Sequence, residues 1–352
     1  MIRIDEIYYN IFLQKIKDKT ASIHWFEPFG TTAFENICSM PDITEPATRI
    51  LFWDQEPLHR DRVANVLPRF RECYGDDRGP DEVIIVHSER DSENIDWIEN
   101  TYGVKSQYYF FHAWASLDWY RGYDRSLLSI PFQNRKIKHT FLCPNNIIGG
   151  QRKHRLELLS ELVDRDLIAD NFVSFPERCP YENKTVAELC REYDIALGSI
   201  DLPLIIDQGS DYAGNSHKID MWSFADLSLL QVVTETVYSG RRSHLTEKTF
   251  KSIVMQQPFV LVSCRGSLDY IRSYGFKTFG EFWNEDYDDY DDNTRIMRIG
   301  KLLNDINNLS VKEKVTLQKH LAPIVEHNFN WFYSQQFEHL LWQELSDVID
   351  QW

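Results

Sequence analysis

The chain has 352 residues, 43% hydrophobic, 14% aromatic and 26% charged, enough to bury a sizeable core in about two domains of ordinary size. Fifteen Gly, thirteen Pro and ten Trp exclude a fibrous or low-complexity chain. Thirty-eight Lys and Arg against fifty-four Asp and Glu leave a formal charge of -16, which disfavours broad, non-specific binding to nucleic acid or anionic lipid and leaves room for a local basic pocket.

The opening Met1-Ile-Arg-Ile-Asp-Glu6 lacks the basic start and apolar run of a signal peptide, and no stretch approaches the ~18 apolar residues of a membrane span. A soluble, cytoplasmic chain is expected. Cys38, Cys73, Cys143, Cys179, Cys190 and Cys264 form no CxxC pair, so reduced thiols are expected in place of a disulfide frame or a zinc knuckle.

Short apolar runs alternate with longer amphipathic ones. Arg49 to Trp53 reads as a buried strand, Arg60 to Cys73 as a helix, and Val83 to Val86 as a strand. Asn94 to Tyr102 is helical and Tyr108 to Phe111 extended. Parallel strands need such crossovers, so the rhythm predicts a Rossmann-like α/β sheet within residues 1–130. Residues 126–138, with Pro131 and a polar, basic stretch, are the candidate link. The alternation restarts in a second Rossmann-like domain over 137–330: strand His139 to Cys143, helix Arg152 to Arg165, strand Phe172 to Phe175 and helix Thr185 to Tyr193. The runs Asp194 to Leu197 and Leu227 to Val237 follow, then helix Thr246 to Gln256 and strand Pro258 to Val262. The end is helical: Arg295 to Leu309, Val311 to His327, and Phe329 to Asp350. Two such sheets predict a cleft between them as the default site.

Most of the chemistry lies in Leu245-Thr-Glu-Lys-Thr-Phe-Lys251. Thr246 starts a helix whose core face carries Phe250, Ile253 and Val254, so Glu247, Lys248 and Lys251 project elsewhere. Two lysines one turn apart beside a helix N-terminus suit a diphosphate, and an adjacent carboxylate suits ribose hydroxyls. The alternative is an exposed Glu247–Lys251 pair worth about 0.3–0.5 kcal/mol.

Val232-Val-Thr-Glu-Thr-Val-Tyr238, a short loop, Leu245 to Lys251 and Gln257-Pro-Phe-Val-Leu-Val262 together resemble the donor-binding region of GT-B glycosyltransferases, and are most similar to fucosyltransferase-like and phage or bacterial members. Phe141-Leu-Cys-Pro-Asn145, a Gly-containing loop and Arg152-Lys-His-Arg155 resemble the first strand, loop and helix of the same domain. The resemblance implies a GT-B fold of two Rossmann-like domains. It implies that Glu247 contacts the donor ribose, that Lys248 with Arg152 or Arg155 neutralises the diphosphate, and that Asn145, Glu235, Thr246 and Lys251 complete the donor region. It implies residues 331–352 packing back on the first domain, and a bacterial or phage-infected cytosol. The spacing of Glu235 and Glu247 and the insertion Ser239 to His244 depart from the family, so base and sugar stay unassigned. Arg241 and Arg242 read either as phosphate ligands or as a solvated loop.

In the first half, Asp54, Glu56 and His59 follow a strand and are candidates for the base that takes an acceptor hydroxyl's proton; the competing reading is helix capping ahead of Pro57. His112 and Trp114, read as a strand end, are candidates for an acceptor pocket, against core packing. Residues 201–215 read as a polar loop without a role, Asp286 to Asp292 as a solvated acidic loop in preference to a metal-binding DxD, and Trp331 to Trp342 as an aromatic stripe on the last helix.

The expected function is transfer of a sugar from a nucleotide sugar to an acceptor hydroxyl, metal-independent and inverting, with a glycan acceptor and no cofactor beyond the donor co-substrate. Two alternatives stand beside it: a phage-type enzyme modifying hydroxymethylated DNA bases, which the acidic charge disfavours, and a catalytically silent nucleotide- or glycan-binding protein.

Overall fold

A computed structural model describes residues 6–12, 14, 17–18, 21–26, 37–39, 48–74, 83–121, 130–206, 219 and 221–352. The chain divides into two compact units. Unit 1 takes Met1–Asp118, Gly240–His244 and Gln335–Trp352; unit 2 takes Trp119–Ser239 and Leu245–Ser334.

Unit 1 is built on a five-stranded sheet of β1 (Ala21–Phe26), β2 (Ile37–Ser39), β3 (Thr48–Trp53), β4 (Val83–His87) and β5 (Lys105–Tyr108) in the order β2-β1-β3-β4-β5. The edge strand β2 runs antiparallel to β1 and the other pairings are parallel, with Ile50 opposite Ile84 and Val86 opposite Gln107. All five residues of β4 are buried, which is why Val83-Ile-Ile-Val86 is continuously apolar: a parallel strand is covered on both faces. Helix α1 (Arg60–Tyr74) packs Val63, Val66, Leu67 and Phe70 on Leu51, Trp53 and Ile85. Helix α2 (Glu93–Tyr102) begins at the Ser92 cap and ends at Gly103 in the left-handed region.

The apolar run Tyr108–Phe111 is not one strand. β5 stops at Tyr108, and helix α3 (Phe111–Arg121) starts at Phe111, so His112 and Trp114 lie in its first turn and not at a strand end. The aromatic run hides the boundary because both elements bury rings.

Unit 2 holds an all-parallel sheet of β6 (His139–Pro144), β7 (Phe172–Ser174), β8 (Ser228–Thr234) and β9 (Phe259–Val262), ordered β7-β6-β8-β9. Its helices are α4 (Lys153–Asp164), α5 (Val186–Glu192), α6 (Trp222–Ala225), α7 (Glu247–Val254), α8 (Ser267–Ser273), α9 (Asp292–Asn307) and α10 (Val311–Phe332). On one side Leu156 and Leu159 of α4 pack with Phe175 and Leu189. Elsewhere Phe250 of α7 meets Phe332 at 5.4 Å and Phe276 at 5.9 Å between ring centres.

The last helix, α11 (Gln335–Ile349), belongs to unit 1. Glu344 accepts the Phe110 backbone N–H at 2.6 Å, and Trp342 stands edge-on to Trp114 at 6.5 Å. The aromatic stripe is broken in two, since α10 ends at Phe332 and Trp331 lies in unit 2.

The expected link over 126–138 lies partly outside the described residues, and its remainder folds into unit 2. Phe132 is buried, and the buried Arg135 pairs with Asp226 at 2.9 Å and donates to the Met255 and Gln256 carbonyls. Burial pulls the Arg135 pKa down to about 10 against the pull of Asp226, so this basic stretch is a core anchor. The polar loop 201–215 is described only through residue 206.

Candidate functional site

Open parallel sheets place ligands at the carboxyl ends of their strands. In unit 2 those ends deliver Asn145 after β6 and Glu235 after β8. Asn145 is fixed by the Thr234 hydroxyl, which donates to Oδ1 at 2.7 Å, and by its own backbone N–H on the Ser174 carbonyl at 2.9 Å.

Glu235 is fully buried and organises the start of α7. Its Oε1 accepts the Thr246 backbone N–H at 3.1 Å and the Thr249 hydroxyl at 2.6 Å, and Oε2 accepts the Thr246 hydroxyl at 2.6 Å. Thr246 is the N-cap and its Oγ1 accepts the Lys248 N–H at 3.5 Å, a long bond. Glu247 is buried rather than exposed, and its carboxylate lies 3.0 Å from Lys248 Nζ. That ammonium also reaches Thr246 Oγ1 at 3.0 Å and Thr236 Oγ1 at 3.4 Å, with a third of its side chain open to solvent. Lys251 is half-buried one turn on. The helix start thus collects backbone N–H groups, an ammonium and a carboxylate on one short stretch.

Arg152 ends a single 3₁₀ turn (Gly150–Arg152) before α4, and Arg155 lies in the first turn of that helix. The Arg155 guanidinium is buried and donates to the carbonyls of Ile147 at 2.7 Å, Thr234 at 2.9 Å and Glu235 at 3.3 Å. Burial, seconded by Arg152, pulls its pKa down to about 9. It still carries its proton at neutral pH and acts at a distance, as a fixed positive charge behind the strand ends.

Three residues outside the sequence-derived set complete this layer. His154 donates from Nε2 to the Glu235 carbonyl at 3.1 Å and stacks on Tyr238 at 4.9 Å. Burial, then Arg155, holds its pKa well below the usual imidazole range, so the ring is neutral with Nδ1 as an acceptor. Arg295, also buried, lies 4.2 Å from the centre of the Tyr238 ring and donates to the Tyr238 carbonyl at 2.8 Å. Tyr238 lies in the stretch that resembles the donor region, but Arg295 is nearly 60 positions further along and no local spacing points to it.

In unit 1, Asp54 follows β3 and is buried. The Tyr109 hydroxyl donates to its carboxylate, and Ser88 Oγ donates to its carbonyl at 2.7 Å. Glu56 and His59 are half-buried; the His59 carbonyl accepts the Val63 N–H at 2.9 Å and so opens α1. His112 is buried edge-on to His244 at 5.1 Å, and the His244 Nδ1 lies 3.4 Å from Ser88 Oγ. Trp114 is a core residue, 1% exposed. Within the insertion, Arg241 pairs with Asp96 on the surface, whereas Arg242 is buried against Glu89 at 3.2 Å. Glu89 also accepts the Leu58 N–H at 2.7 Å and the Ser92 hydroxyl at 2.5 Å. Burial pushes its pKa up, opposed first by Arg242.

The segment Asp286 to Asp292 is structural rather than simply solvated. Asp288 is buried and accepts the Leu268 N–H at 2.8 Å, Asp286 pairs with Arg298 at 2.9 Å, and Asp291 caps α9. Among the described residues no group of three or more His, Cys, Asp or Glu is placed to hold a metal, and no helix is long and apolar enough to cross a membrane.

No protein-family model matches the chain, and no curated protein matches it. Among solved structures, the N-terminal domain of Candida albicans trehalose-6-phosphate phosphatase is similar at 13% identity and a TM-score of 0.40, over 85% of this chain and 65% of that one.

Proposed function

We propose that the chain is a glycosyltransferase of GT-B type whose unit 2 binds the nucleotide sugar. The observation that supports this most is the Glu247–Lys248 pair at the start of α7, an ammonium a third open to solvent beside a helix N-terminus, with Arg155 fixed behind it. In this reading Glu247 accepts ribose hydroxyls while Lys248, Arg152 and the helix dipole take the diphosphate. Because Glu235 is committed to Thr246 and Thr249, it shapes the site and leaves the ligand to its neighbours.

Transfer breaks the bond between the anomeric carbon and the diphosphate oxygen, and the electron pair leaves with the phosphate. The acceptor oxygen attacks the same carbon through an oxocarbenium-like state and gives its proton to a base. Cationic groups act where the leaving charge develops. Unit 1 offers Asp54 first for the proton, its carboxylate oriented by Tyr109, then Glu56 and His59. Inversion and a glycan acceptor remain the favoured outcome, with the nucleotide sugar as sole co-substrate.

The test is a thermal-shift series with UDP, GDP, CMP, ADP and dTDP and their sugars. A ligand at about 100 times its Kd stabilises by roughly 2.7 kcal/mol, several degrees for a chain of this size. One nucleotide is expected to raise the transition of the wild type but not of Glu247→Ala or Lys248→Ala. No shift with any nucleotide removes the donor site, and binding without turnover over a broad acceptor panel turns the reading to a silent binding protein.

A further inference from the structure

Unit 2 contains a cavity of about 360 Å³, within the size range of small-molecule sites, that shares no residue with the α7 region. One wall is a stripe of α9, with Arg298, Lys301, Leu302, Asp305 and Ile306 at spacings of three and four. The facing wall comes from the turn carrying Phe282, Trp283 and Tyr287.

Its lining has two properties that define a ligand. The floor is aromatic and apolar, since Trp283 and Tyr287 are buried beside Leu302 and Ile306. The charges cancel: Arg298 is held by both oxygens of Asp286 at 2.9 and 3.0 Å, and Lys301 is held by Asp305 at 2.5 Å. An anion entering here would have to displace a carboxylate already seated, so the rim does not select charge.

We propose that this cavity is a second binding site, for an uncharged, flat aromatic molecule of about nucleoside size. Its ring lies against the aromatic wall. The inference is independent of the sugar-transfer reading, because none of its residues takes part in the donor region.

Adenosine is the probe, followed through the ¹⁵N–¹H indole resonance assigned to Trp283 by its loss in Trp283→Phe. Titration of the full chain is expected to shift that resonance saturably with a Kd of about a millimolar or tighter. Leu309→Trp and, separately, Lys301→Trp place a ring in the cavity and are expected to weaken binding at least about tenfold. Leu309 is half-buried and Lys301 exposed, so the second variant keeps the test sound if the first unfolds. AMP is expected to bind several-fold more weakly, and Lys248→Ala to bind adenosine as the wild type does. The proposal is overturned if adenosine, inosine and uridine all leave Trp283 unmoved at about 5 mM, if both tryptophan variants bind unchanged, or if AMP binds as tightly as adenosine.

Discussion

The Glu235 carboxylate and Thr246 are joined twice, through the backbone N–H at 3.1 Å and the hydroxyl at 2.6 Å, so the residue after β8 caps the helix that leads to β9. The cap is internal, with Glu235 fully buried. Removing it strands two hydroxyls and one N–H at a helix start.

Glu235→Ala is therefore expected to destabilise by about 3 kcal/mol, the cost of leaving charge-assisted bonds unmade in a buried place. Glu235→Gln keeps the shape and one acceptor and is expected to lose about half as much. Urea unfolding of both variants measures this; equal and small losses would remove the capping role.

Asp288 and His87 predict opposite pH dependences. Burial raises the Asp288 carboxyl to about 6, so its stabilising protonated form is fully present below its unfolded value near 3.8 and is lost as pH rises through 6. Asp288→Asn keeps an acceptor for the Leu268 N–H and is expected to be more stable than wild type at pH 7.5 by about 1–3 kcal/mol, an advantage that vanishes near pH 4. Burial lowers His87 to about 3, so the stability of its neutral form is complete above 6.5 and is lost as pH falls towards 3. His87→Gln is expected to erase that acid sensitivity, gaining on the wild type by about 1.4 kcal/mol per pH unit between 6 and 4. Unfolding free energies of both variants at four pH values test the two signs together.

The buried pair of Arg242 and Glu89, 3.2 Å apart, predicts a non-additive double mutant. Glu89→Gln or Arg242→Met alone removes one charge of a buried pair and is expected to cost about 3–5 kcal/mol. The double variant removes both charges and is expected to cost less than either single one. A double-mutant cycle in urea decides it, and simple additivity would show that the two charges are not coupled.

What could be read from the sequence tracks how local each signal is. The buried run Val83 to Val86, the Thr246 cap and the core face Phe250, Ile253 and Val254 all depend on residues within a few positions, and the structure has them as read. The assignment of His112 to a strand end failed because Phe110 and Phe111 are apolar whichever element they serve. Arg135 read as a polar link because its neutralising partner Asp226 and its carbonyl acceptors lie some 90 to 120 positions away. Arg242 with Glu89 and His244 with Ser88 were equally hidden, at separations of 153 and 156 positions. In the α7 region the charged residue types were legible, but which carboxylate holds the helix and which faces Lys248 needed the geometry.

Gly266 and Gly275 flank α8 with φ of +80° and +89°, and they separate backbone strain from steric conflict. A side chain at either position is held in the left-handed region, which costs about 1 kcal/mol for a non-glycine residue. At Gly266 an added Cβ meets nothing within 4 Å, so Gly266→Ala is expected to lose only that amount. At Gly275 the same atom would sit 2.6 Å from the Trp331 ring, whose indole N–H donates to the Tyr274 carbonyl at 2.6 Å. Trp331 cannot withdraw without giving up that bond, so Gly275→Ala carries strain, lost packing and an unmade hydrogen bond. Its expected cost is about 3 kcal/mol, and the companion Gly275→Ala/Trp331→Ala is expected to be less than additive, because the clash disappears with the ring. Thermal unfolding of the wild type, Gly266→Ala, Gly275→Ala, Trp331→Ala and the double variant measures both differences; a Gly275→Ala loss no larger than that of Gly266→Ala would mean that the Trp331 ring moves aside freely.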